Sequence, residues 1–281
     1  MTDEELLKEF KNYLKKRNLS NNTITAYAGS VRLYFSLYKE VTPENLKRYK
    51  NYLIPHYRPA TINQRIYAIN HFSRYLAETN EEDSILLSSY HLPSVKVQQK
   101  TFLDSIISND DYEYFKKKLK EEENYFWYFI VRFLAATGAR VSELIQIKEE
   151  HLKLGYLDLY SKGGKIRRIY FPDSLCEEAL IWCRNRGVQS GFLFLNKFGH
   201  LITPRGINYQ LKHLAKRYGI DPATVYPHSF RHRFAKNFLA RNNDISLLAD
   251  LMGHESIETT RIYLTRSSQE QQQLLDEIIT W

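Results

Sequence analysis

Through the first hundred residues, apolar side chains return every three to four positions, the period of an α-helix. Leu6, Leu7, Phe10, Tyr13 and Leu14 mark one helix, with Thr2 and Glu5 as a capping box ahead of it. Ile24, Tyr27, Val31, Tyr34 and Leu37 mark a second, behind Ser20. Thr42-Pro43-Glu44 reads as an N-cap with proline in the first helical position. Ile62, Ile66, Ile69, Phe72 and Leu76 share one face of a helix from about Ala60 to Ala77. No alternating run interrupts this stretch, so residues 1–85 are predicted to form a small domain of four or five short helices.

The periodicity fades between Ser84 and Lys100, and residues 86–101 read as an extended linker around His91-Leu92-Pro93-Ser94. A second domain, 102–281, follows. Ser108 with Asp111 caps a charged helix to about Glu122. Asn124 starts an aromatic-rich helix, Tyr125 to Ala136, which is apolar nearly all round and is therefore predicted to be central and buried. Gly138 breaks it, and a further helix is expected through Ile147. Tyr156 to Tyr160 and Lys165 to Phe171 alternate like strands, joined by the turn Ser161-Lys162-Gly163-Gly164. Phe192 to Leu195 reads as another strand. Helices are then expected over about 204–218, 228–241, 244–252, 256–264 and 268–280. The predicted fold class is mainly α: a helical N-terminal domain, then a mixed α/β C-terminal domain with a small antiparallel sheet.

Composition adds an expected anionic partner to this outline without changing the fold. The 281 residues carry a formal net charge of +8, which favours nucleic acid or an acidic surface. Between Lys11 and Arg74 there are twelve Lys or Arg side chains and only two acids, Glu40 and Glu44. No apolar run reaches the ~20 residues needed to span a bilayer. The start, Met1-Thr-Asp-Glu-Glu, lacks the pattern of a secretory signal, so a cytoplasmic protein is expected. Cys176 and Cys183 fall about 10 Å apart on one predicted helix, beyond the roughly 7 Å reach of a disulfide. Two thiols alone make no zinc site.

Four stretches carry the candidate chemistry: Ala136 to Leu144 around Arg140; the turn holding Lys162; Pro227 to Ala235 with His228 and Arg231; and Leu251 to Tyr263 with His254. Each has an ordinary explanation taken singly. Arg140 can simply pair with Glu143, Lys162 can be a turn lysine, His228 a helix cap, and Tyr263 is one of 21 tyrosines. His228 and His232, four apart, could share a metal. No glutamate follows His228, however, and Arg231 would bring a cation to the same place, so neither metal nor cofactor is expected.

Together these residues suit the handling of a phosphodiester. Two arginines clamp non-bridging oxygens with forked hydrogen bonds. Histidine donors stabilise charge growing on phosphorus, and a lysine on a hairpin can protonate a departing 5′-oxygen. A tyrosine nucleophile keeps the backbone energy in a phosphoester, so rejoining needs no ATP. His228 and Arg231, three apart, share a helix face. Ser256 reads as the N-cap of the segment carrying Tyr263.

In these residues, and in the order Arg, Lys, His-x-x-Arg, His, Tyr, the sequence resembles the tyrosine recombinases, also called phage integrases, and among them the compact Xer-like integrases and transposon resolvases. The resemblance implies a site-specific recombinase that cleaves and rejoins double-stranded DNA through a 3′-phosphotyrosyl intermediate and a Holliday junction, for integration, excision or resolution. It implies that Arg140 and Arg231 bind the scissile phosphate, Lys162 is the general acid with Lys165 as a rival, and His228 is the acid/base partner of the tyrosine. It further implies that His254 hydrogen-bonds the phosphate, Tyr263 attacks, and Glu143 orients the site. It makes residues 1–85 a core-binding domain and the protein a homotetramer on DNA, with a paralogous recombinase or accessory factor as a further partner class. The length fits a recombinase that reads core sites only. Ser161, Ala139, Lys236 and Leu264-Thr265 depart from the family's usual residues without touching that chemistry. The acidic, apolar tail 268–281, with Leu274, Leu275, Ile278, Ile279 and Trp281, is expected to dock on a neighbouring protomer. Two other readings stay open: a relaxing enzyme like the type IB topoisomerases, and a non-catalytic DNA-binding accessory protein.

Overall fold

A computed structural model describes residues 3–79, 90–97, 106–160, 166–187, 190–254, 256–264, 272 and 275–279. The chain divides into two compact units, Met1–Gln99 and Lys100–Trp281.

Among the described residues, the first unit holds four helices, α1 (Asp3–Lys16), α2 (Asn21–Leu37), α3 (Pro43–His56) and α4 (Pro59–Thr79). Their starts are chemical. Ser20 and Thr42 accept the backbone N–H groups of Thr23 and Asn45, satisfying donors that a helix leaves open at its first turn. The periodic apolar faces meet in one core around Phe10, Tyr34, Tyr49 and Phe72, all fully buried. Tyr34 sends its hydroxyl to the Glu40 carbonyl (2.8 Å), so its polar end is not stranded.

The segment 90–97 is extended, as its sequence suggested, and it is held to α4 by two asparagines. Asn63 exchanges two hydrogen bonds with the backbone of Val95 (2.7 and 2.9 Å), and Asn70 does the same with Leu92 (both 3.0 Å). Seven helical residues rise about 10.5 Å and three extended residues span about 10 Å, so the two spacings match. The side chain of Leu92, whose backbone Asn70 holds, is buried in the core.

The second unit is built around α6 (Tyr125–Thr137), which is buried on nearly every side, as its all-round apolar pattern predicted. Before it lies α5 (Asn109–Glu121), capped by Ser108 on the Asp111 N–H. After it come α7 (Val141–Leu144), α8 (Glu149–Leu154), the antiparallel pair β1 (Tyr156–Tyr160) and β2 (Ile166–Tyr170), and α9 (Asp173–Asn185). Then follow α10 (Pro204–Arg217), α11 (Pro227–Arg241), α12 (Ile245–Met252), α13 (Ile257–Arg261) and a 3₁₀ turn, Ile262–Leu264. The fold is mainly helical with one small antiparallel sheet. Cys176 and Cys183 are free, buried thiols of α9.

Two expectations change. The helix expected through Ile147 stops at Leu144, and a separate helix begins at Glu149. The reason is tertiary: Ile147 offers its carbonyl to the Leu193 N–H (3.0 Å) and Gly191 its carbonyl to the Glu149 N–H (2.9 Å), so that stretch pairs with 191–193 instead of coiling. For the same reason Phe192 to Leu195 is no full strand; it makes only isolated bridges, Lys148 with Phe192 and Leu195 with Leu201. Of the tail, 275–278 is helical; Thr2, Ser161 to Lys165, Ser268, Leu274 and Trp281 lie outside the described residues.

Candidate active site

Arg140 owes its place to the way α6 ends. Thr137 folds its hydroxyl back onto the Phe133 carbonyl (2.6 Å) and accepts the Ala139 N–H (3.2 Å). Gly138 takes a left-handed φ of +62°, and a Cβ there would lie 2.5 Å from the Phe234 ring. The turn therefore needs glycine twice over, for its backbone and for its contact with α11. Arg140 then caps α7. Its N–H donates to Glu143 Oε2 (2.7 Å) and its Nη1 to Oε1 (2.9 Å), while Nη2 reaches the Gly253 carbonyl (3.3 Å). The ordinary ion pair and the candidate phosphate ligand are thus the same side chain, still 39 % exposed.

Arg231 is the opposite case, 2 % exposed on α11. It donates to the carbonyls of Gly138 and Met252 (2.7 Å for the latter), and its Nη2 lies 2.9 Å from His254 Nε2. A guanidinium only donates, so Nε2 must accept. His254 therefore carries its proton on Nδ1, which faces Thr260 Oγ1 at 2.7 Å. Burial, then the charges of Arg231, Arg140 and Arg167, push His254 down to about 4, so the ring is neutral at physiological pH.

Three consecutive carbonyls at the end of α12 are each met by a different arginine: Leu251 by Arg167 Nη2 (2.9 Å), Met252 by Arg231 and Gly253 by Arg140. A helix leaves its last carbonyls open and its C-terminus partly negative, so this end is a natural seat for cations. Arg167 of β2 also donates to Glu143. Burial alone would raise the Glu143 carboxyl, but Arg167 and Arg140 reverse that and hold it below its ordinary range.

Tyr263 enters this cluster from the 3₁₀ turn beyond α13, whose start Ser256 caps by accepting the Glu258 N–H (3.2 Å). Its side chain is 6 % exposed. The ring lies parallel to that of His254 at 6.0 Å and tilted against that of His232 at 5.2 Å. Burial holds the phenol above its ordinary value, and Arg231 and then Arg140 offset only part of that rise.

Of the residues singled out from sequence, Arg140, Arg231, His254 and Tyr263 are thus brought together. His228 sits exposed at the start of α11, its ring 6.4 Å from that of His232. Lys162 and Lys165 lie outside the described residues. Three contacts were missed: Arg167, Thr260 and the packing of His232 on Tyr263. Arg167 carried a signal, since strand alternation puts it on the inward side with Ile169 and Phe171, and an inward arginine requires partners. His232 stands out in the sequence only by its spacing from His228, which suits a metal pair; among the described residues, no group of three His, Cys, Asp or Glu side chains is placed to hold a metal ion.

Residues 103–270 match the phage integrase family, and residues 7–80 match the phage integrase N-terminal SAM-like domain. The chain is 27 % identical over 280 residues to the tyrosine recombinase XerC of Leptospira interrogans, covering 94 % of this chain and 90 % of that protein. It is 29 % identical over 266 residues to the tyrosine recombinase XerA of Pyrococcus furiosus, covering 92 % and 88 %. Among solved structures it is similar to the XerH site-specific recombinase bound to palindromic difH substrate, with TM-score 0.74, 23 % identity and coverage of 100 % and 85 %. A lambda integrase tetramer bound to a Holliday junction aligns with TM-score 0.71, 16 % identity and coverage of 94 % and 77 %. The chain belongs to the phage integrase family, as an Xer-like site-specific tyrosine recombinase.

Proposed function

We propose that this recombinase breaks and rejoins duplex DNA by attack of the Tyr263 hydroxyl on a phosphodiester. One observation carries the reading: a buried tyrosine set among Arg231, Arg140 and His254, on a helix terminus that gathers cations. In the forward step the phenolic oxygen bonds to phosphorus and the 5′-oxygen leaves, giving a 3′-phosphotyrosine and a free 5′-hydroxyl. Arg140 and Arg231 hold the non-bridging oxygens, with His254 beside them. Lys162 gives the leaving oxygen its proton, with Lys165 as the rival for that role. His228, open to an approaching substrate, exchanges the tyrosine's proton. Attack by a 5′-hydroxyl reverses the step on the same or a partner strand, with no input of chemical energy.

The first unit supplies core-site binding; most of its twelve basic residues from Lys11 to Arg74 are exposed. The protein works as a tetramer on two DNA sites in the cytoplasm. Among the described residues, no helix is long and apolar enough to cross a membrane. Leu275, Ile278 and Ile279 of the tail are 53 %, 56 % and 45 % exposed, which supports docking of that tail on a neighbouring protomer.

The test uses nicked suicide substrates made from DNA flanking the gene. The wild-type protein should form a denaturation-resistant DNA adduct and Tyr263→Phe none. An adduct that persists in Tyr263→Phe removes the nucleophile assignment.

A further inference from the structure

Glu143 poses a charge problem for the site just described. Its buried carboxylate touches Arg140, the more exposed of the two proposed phosphate ligands. Paired with Arg140 alone, it would cancel that arginine's charge, and only Arg231 would offer a net cation to a phosphodiester. Arg167 resolves this. Its Nη1 donates to the same carboxylate oxygen, Oε1, that Arg140 uses, and its Nη2 is taken by the Leu251 carbonyl. Its side chain is 12 % exposed, and its Nε is buried without a hydrogen-bond partner among the described residues. Both of its terminal nitrogens are thus engaged inside the protein. Its stem runs beneath Gly253, where a Cβ would lie 2.1 Å from its Cδ, so it also fixes the turn that leads into His254.

We infer that Arg167 is a positioning residue for strand cleavage: by offsetting Glu143 from the inner side, it leaves Arg140 a net positive charge, and a partly exposed guanidinium, for the scissile phosphate. This rests on the proposed roles of Arg140 and Tyr263. It differs from a packing role in one respect: the defect created by losing Arg167 is an uncompensated negative charge, so removing that charge must repair it.

The experiment measures single-turnover adduct formation on a nicked suicide substrate, beside DNA affinity by gel shift, for wild type, Tyr263→Phe, Arg167→Gln, Arg167→Lys and the double variant Arg167→Gln with Glu143→Gln. Misplacing a catalytic group costs roughly a hundredfold in rate. Arg167→Gln should therefore slow adduct formation by roughly 10–100-fold, with DNA affinity little changed. The double variant should recover most of that loss. Arg167→Lys, which keeps the charge but not the fork, should stay closer to wild type than Arg167→Gln. A double variant no faster than Arg167→Gln overturns the inference. So does an Arg167→Lys protein that folds and binds DNA but no longer forms adduct; this arm decides the matter if the glutamine variants do not fold. Loss of the adduct in wild type, or its persistence in Tyr263→Phe, would strike the proposed function instead, and the positioning role would fall with it.

Discussion

Gly253 is the position where backbone, packing and charge meet, and replacing it with alanine tests all three. It ends α12 at a φ of +61°. That conformation costs a residue with a Cβ about 1–2 kcal/mol. The new methyl would also lie 2.1 Å from Arg167 Cδ and 2.5 Å from its Nε. Arg167 cannot give way cheaply, because Glu143 and the Leu251 carbonyl hold its far end. If it leaves, the buried carboxylate loses one of two cations; breaking a buried pair outright costs about 3–5 kcal/mol, and Arg140 remains to soften the loss. The expected total is about 4 kcal/mol.

Gly155→Ala is the internal control. That residue has a φ of +76°, but a Cβ there meets nothing within 4 Å, so only the backbone cost applies. All three tryptophans, Trp127, Trp182 and Trp281, belong to the second unit, so tryptophan fluorescence, excited selectively over tyrosine, follows that unit alone during urea unfolding. Gly253→Ala should lower the unfolding free energy by clearly more than Gly155→Ala. Equal losses would refute the argument that Arg167 fills the space below Gly253.

Other consequences are equally direct. His232 and His254 are both pushed down to about 4, chiefly by burial, whereas unfolding returns them to the usual value near 6.5. The unfolded chain thus binds more protons between those values, and the stability these residues contribute is full above about pH 6.5 and lost as pH falls toward about 4. The urea midpoint should drop over that range, and His232→Leu should flatten the slope; an unchanged slope would remove His232 from the account. In the first unit, Asn70→Ala deletes both clasps on Leu92, worth about 1 kcal/mol each, so the Leu92 amide should exchange with solvent at least tenfold faster while those of the α2 core keep their protection. Unaltered exchange would mean that the buried Leu92 side chain alone holds the segment.

Much of this was readable along the chain because it depends on neighbours in sequence. Ser20, Thr42 and Ser108 cap helices within three residues of themselves, and the apolar period of α4 and the all-round apolarity of α6 leave each helix only one way to be buried. The order of Arg140, Arg231, His254 and Tyr263 pointed to the family, since residue type and order are carried by the chain itself. Local periodicity could not show that Ile147 would surrender its carbonyl to Leu193, because that partner lies 46 residues away and competes with a helix the local pattern equally allows.

The sequence by itself determined which residue types stand at each position and which faces are apolar, because residue type and period are local properties. Only the tertiary structure decided the electrostatics. What role an arginine can take depends on what is brought against it: Arg140 pairs with Glu143 yet stays partly exposed, Arg231 is buried against two carbonyls and a neutral histidine, and Arg167 faces inward to Glu143. The end of α12 draws the three together, and its open carbonyls come within reach of α7, β2 and α11 only once the second unit has folded.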